Sequence, residues 1–83
     1  MYQVVCTRTL DNVDDAQVQV FDYADKKDAI ECFNEELSKT LKEAIDNEFL
    51  QVKMSMHNYR ALIQFESTHC LIAIVKDGGI FDT

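Results

Sequence analysis

From Gln17 to Phe21 the apolar residues alternate with polar ones, whereas from Ile30 to Ile45 they recur every three or four positions. The two periods belong to different backbones. Successive side chains of a strand point to opposite faces, while residues three and four apart share one face of a helix.

The segment 2–10 is rich in β-branched residues. Tyr2, Val4, Cys6 and Leu10 fall at period two with Arg8 as the exception, so it reads as a strand. Residues 11–15, Asp-Asn-Val-Asp-Asp, carry side chains that bond their own backbone and favour turns. The alternating run 17–21 then completes a hairpin.

At 100° per residue, Ile30, Phe33, Leu37, Leu41, Ala44 and Ile45 fall within an arc of about 120°, with Glu31, Glu35, Lys39, Lys42 and Glu43 outside it. This predicts an amphipathic helix of about twenty residues with that stripe in the core. Asp25 suits the N-cap, Asp28 adds an acid to the first turn, and Asn47 suits the C-terminal cap. Glu35 and Lys39 are placed for an i,i+4 pair.

The remainder is β. Leu50, Val52, Met54 and Met56 alternate with polar residues, and Asn58-Tyr59 reads as a two-residue turn. Ala61, Ile63 and Phe65 alternate again. Ser67-Thr68-His69 reads as a turn, and the strand 70–75 is apolar on both faces. Asp77-Gly78-Gly79 ends it, leaving 80–83 as a tail.

The predicted order is β-β-α-β-β-β, an α+β fold forming one domain over 1–83. One helix packs on a five-stranded, mainly antiparallel sheet, because short turns join neighbours only in antiparallel fashion. A single helix covers one sheet face. A strand apolar on both sides implies that the second face is partly covered too. Leu71, Ala73 and Val75 are the residues expected there, beneath either the tail with Ile80 and Phe81 or a second copy in a homodimer.

Composition narrows the setting. Of 83 residues 47% are apolar, there is no proline, and the only two glycines are adjacent, so no linker is expected. No run approaches the roughly 20 apolar residues of a membrane span. The opening residues show no basic region followed by an apolar one. Three widely spaced cysteines do not make a disulfide framework. The expectation is a soluble cytoplasmic protein, in the host's cytoplasm if the chain is phage-encoded.

A net charge of −7 opposes direct binding to nucleic acid or to anionic membranes and favours a basic protein partner. The charge is also one-sided. Twelve of the fifteen acids lie within 11–48, against four lysines, while the rest of the chain holds three acids and four bases.

Candidate chemistry is sparse. Cys6, Cys32, Cys70, His57 and His69 show no metal-ligand spacing, and residues 11–15 lack the order of a calcium loop. Cys70 with either histidine is the conceivable nucleophile–base pair, but its apolar run blunts the thiol. Cys32 lies opposite the apolar stripe and is expected on the surface. Gly78-Gly79 opens no helix, so no phosphate loop is present. No metal, cofactor or catalytic residue is assigned, and enzymatic activity is not expected.

The functional expectation is a small acidic module that binds a basic protein through Asp11, Asp14, Asp15, Asp28, Glu31, Glu35 and Glu36. Carboxylates along a helix imitate phosphates, as in a phage counter-defence inhibitor of a nucleic-acid-handling enzyme, although Lys26, Lys27, Lys39 and Lys42 interrupt the stripe. The alternative is a homodimeric structural or ligand-sequestering protein built on the second sheet face. A small Cys/His metalloprotein or enzyme centred on Cys70, His57 and His69 is the third reading.

Overall fold

The computed structural model describes residues 1–10, 16–46, 52–65 and 67–80, with Ile80 described by its backbone alone. Its elements are β1 (Tyr2–Leu10), β2 (Gln17–Tyr23), α1 (Lys26–Asp46), β3 (Val52–His57), β4 (Arg60–Phe65), β5 (Thr68–Lys76) and β6 (Gly79–Ile80). The helix packs on an antiparallel sheet of strand order β2-β1-β5-β4-β3, and β6 pairs with β5 off that path. The expected α+β fold is the observed one, with the two-residue β6 added.

Turn chemistry explains the short connections. Asn58 takes a positive φ of 53° between β3 and β4, which asparagine tolerates. Asp77 and Gly78, at φ 50° and 82°, form the Asp-Gly pair that a two-residue type I′ hairpin requires. Gly79 and Ile80 therefore continue in the plane of the sheet, opposite Lys76 and Val75, instead of folding back as a loose tail. The turn before β5 is tighter than expected, since Thr68 and His69 already belong to the strand.

β5 is central because both its flanks are paired, to β1 over Tyr2–Leu10 and to β4 over Arg60–Phe65. Val4, Ala61, Ile63, Phe65, Cys70, Ile72 and Ile74 point toward the helix and are buried. From the helix Ala29, Cys32, Phe33 and Ala44 meet them. Phe33 sits edge-on to Tyr59, ring centroids 5.7 Å apart.

The helix is rolled by about a quarter-turn from the expected arc. Ile45, placed in the stripe by periodicity, is 72% exposed, and Cys32, expected on the surface, is 7% exposed. Ile30, Leu37 and Leu41 remain as half-buried flanks. The small side chains of Ala29 and Ala44 let the helix backbone approach the sheet closely, and that contact pulls Cys32 inward. Ile45→Lys is therefore expected to shift stability by no more than about 0.5 kcal/mol in urea unfolding. A core residue would lose several times that.

The helix begins as expected. Asp25 occupies the N-cap position, and its carbonyl accepts the Ala29 N–H at 3.2 Å. The expected Glu35–Lys39 pair is replaced by an i,i+3 pair of Lys39 with Glu36 at 3.4 Å, Glu36 lying nearer the sheet side of the helix. Asp11, Asp14, Asp15, Asn47, Leu50 and Phe81 lie outside the described residues. No helix among the described residues is long and apolar enough to cross a membrane.

Candidate functional site

The sheet divides the candidate residues into two groups that do not meet. Cys70 faces the helix and is buried. His69, its neighbour in β5, points to the opposite face, where its Nδ1 lies 2.7 Å from Gln64 Nε2. His57 pairs in register with Arg60 and shares that opposite face. A thickness of sheet thus separates the Cys70 thiol from both imidazoles, and the proposed cysteine–histidine cluster is not assembled. Among the described residues no group of three or more His, Cys, Asp or Glu side chains could hold a metal ion.

On the helix side a cleft of about 640 Å³ lies between α1 and the strands β1 and β2. Cys6, Arg8, Glu36, Lys39, Thr40 and Glu43 are among its lining residues. Arg8 explains the break in the alternation of β1: it faces the helix and forms an ion pair with Glu43. That hydrogen bond, followed by one to Cys70, holds the guanidinium above its ordinary pKa. Lys39 bonds Glu36 at 3.4 Å. Both cations of the cleft are thus engaged by carboxylates of the same helix.

The Cys6 thiol is held protonated by its surroundings. Burial pushes Cys6 up from 9.0 to about 11, and Glu36 and the Cys32 and Cys70 sulfurs push in the same direction. Tyr23 is raised to about 12, first by its hydrogen bond to Cys32 and then by desolvation. A thiol is nucleophilic only as thiolate, so Cys6 is inert near neutrality. Cys6 alkylation by iodoacetamide, followed by peptide mass spectrometry, should stay slow to about pH 10 and rise only above it. A rise already at pH 8 would contradict this environment. Because the folded state holds this proton more tightly, the contribution of Cys6 to stability is constant below about pH 9 and is lost as pH rises toward 11.

The acidic residues are only partly gathered. Asp28, Glu31 and Glu35 are exposed on the outer face of the first half of α1. Glu36 does not join them; it is mostly buried and lines the cleft. Lys39 and Lys42 follow on the outer half, so the acidic stripe ends midway along the helix.

Leu71, Ala73 and Val75 do share one face, the sheet face away from the helix. The pairing register adds residues that periodicity alone missed. Val20 and Val5 lie in line with Ala73, and Val18 and Thr7 in line with Leu71 and Leu62. Val18, Val20, Leu62 and Leu71 are between 40% and 57% exposed, which is unusual for neighbouring aliphatic side chains. The missed signal was Phe21 following Val20: adjacent strand residues cannot share a face, and Phe21 packs on the core.

Charge is distributed in keeping with this face. Asp22, bonded by Gln3 at 2.9 Å, is the one carboxylate among the described strand residues. It lies on the open face at the β2 edge, and Arg60 and Lys53 lie on the same face toward the β3 edge. No protein-family model, no curated protein and no solved structure matches this chain.

Proposed function

We propose that this chain is a non-catalytic binding protein that works as a homodimer, two copies stacking the sheet faces left bare by their helices. One observation carries the reading: the aliphatic face of Val5, Val18, Val20, Leu62, Leu71, Ala73 and Val75, on which Val18, Val20, Leu62 and Leu71 are exposed and the others half-buried. The four strands that carry it, spaced about 4.8 Å and each about seven residues long at 3.4 Å, present about 450 Å² of flat sheet per copy. Roughly 900 Å² for the pair is the size of a weak, concentration-dependent interface.

A second copy suits this face better than an acidic or basic stranger. The chain carries −7 overall, yet the described part of the face holds a single carboxylate and two cations, so two copies approach there without strong repulsion. Light scattering across about 1 to 100 µM should give the mass of two chains. A single-chain mass throughout that range would rule the proposal out.

The acidic helix supports a second role for the same assembly. Stacked sheets leave the two helices outermost, with Asp28, Glu31 and Glu35 exposed on each. The dimer then offers two acidic stripes to basic protein partners, and weak contacts gain from being made twice.

A further inference from the structure

We infer that the two copies stack about a two-fold axis parallel to the strands, lying between β1 and β5, so that Asp22 of each copy meets the second copy's Arg60. The inference rests on the dimer reading above and adds its geometry. The apolar residues of the open face are not centred on the sheet. Two lie on β2, one on β1, three on β5 and one on β4, which puts their centre between β1 and β5.

An axis through that centre and along the strands lays β1 over the second copy's β5 and β2 over its β4. Val18 then stands above Leu62 and Val5 above Ala73, while Val20 stands above the aliphatic stem of Arg60 and Thr7 above Leu71. Aligned sheets of this kind pack about 10 Å apart with strands within about 30°. Asp22 comes down one side-chain row from Arg60, a gap that an arginine side chain spans. An axis across the strands instead lays β2 over β2, leaving Asp22 without a basic partner. The charges therefore choose between two stackings that bury much the same apolar surface.

Within one chain the two groups cannot meet, since β1 and β5 lie between their strands. Any coupling between them reports the second copy. Sedimentation equilibrium should show Asp22→Lys and Arg60→Glu each raising the dimer dissociation constant about tenfold. The double variant, with both charges exchanged, should return to within about threefold of the native value. Circular dichroism confirms that each variant is folded. The Arg60→Lys chain provides a gentler arm: zero-length carbodiimide cross-linking should join Asp22 to position 60 between chains.

If the double variant is as weak as the two single changes combined, or the cross-link is missing while the native chain dimerises, the orientation is wrong and the open-face dimer stands. A native chain that remains monomeric overturns both.

Discussion

Leu71→Asp should turn the dimer into a folded monomer. Leu71 occupies the middle of the open face, in register with Thr7 on β1 and Leu62 on β4, and it is 43% exposed in the single chain. In the monomer an aspartate there is wetted by solvent, so stability should change by only about 0.5–1 kcal/mol. In the dimer the same carboxylate is buried against aliphatic side chains with no cation in its row. Truncating a central interface residue commonly costs 2 kcal/mol or more, and a buried charge costs further, so dissociation should rise at least about 30-fold. Met54→Asp is the matched control. Met54 is 50% exposed, but it lies on the helix side of β3, beyond the reach of α1, and its replacement should leave the dissociation constant unchanged.

Phe33→Ala is expected to have the largest effect on folding. Phe33 is 2% exposed at the centre of the helix–sheet contact and packs edge-on against Tyr59. Removing a buried aromatic ring costs about 3–5 kcal/mol, through lost burial and the cavity left behind. A domain of 83 residues is stable by only about 4–12 kcal/mol, so the variant gives up a quarter or more of its margin. Urea unfolding should show the midpoint falling with little change in slope. A loss below about 1 kcal/mol would mean that the helix is not docked through Phe33. Together with a silent Ile45→Lys, this pair fixes the rotation of the helix.

The contrast between Phe33 and Ile45 shows what the sequence could reveal. Period and turn chemistry placed the helix, the hairpins and the antiparallel order, because each is written in local spacing. The roll of the helix is not local. Ala29 and Ala44 carry too little hydrophobicity to weigh in a periodic pattern, yet their small size decides which face can approach the sheet. Cys32 was misplaced for the same reason.

The second face was legible in part. Leu71, Ala73 and Val75 announced themselves through a strand apolar on both sides. Val18, Val20 and Leu62 emerged only once the register was known, since a shift of one residue exchanges the faces of a whole strand. Arg8 looked like a break in β1 and is instead the partner of Glu43. The acidic cluster was legible as charge but not as a surface, because Glu36 turned inward to the cleft.

The central claim is that the bare sheet face is where two copies meet, and covalent footprinting of aliphatic side chains tests it most directly. Labelling is compared in dilute solution and at a concentration above the association range. The account predicts protection of Val18, Val20, Leu62 and Leu71 on concentration, with Ile45, Met54 and Met56 labelled equally in both. Equal labelling of the sheet face at both concentrations, or protection confined to Met54 and Met56, would contradict it.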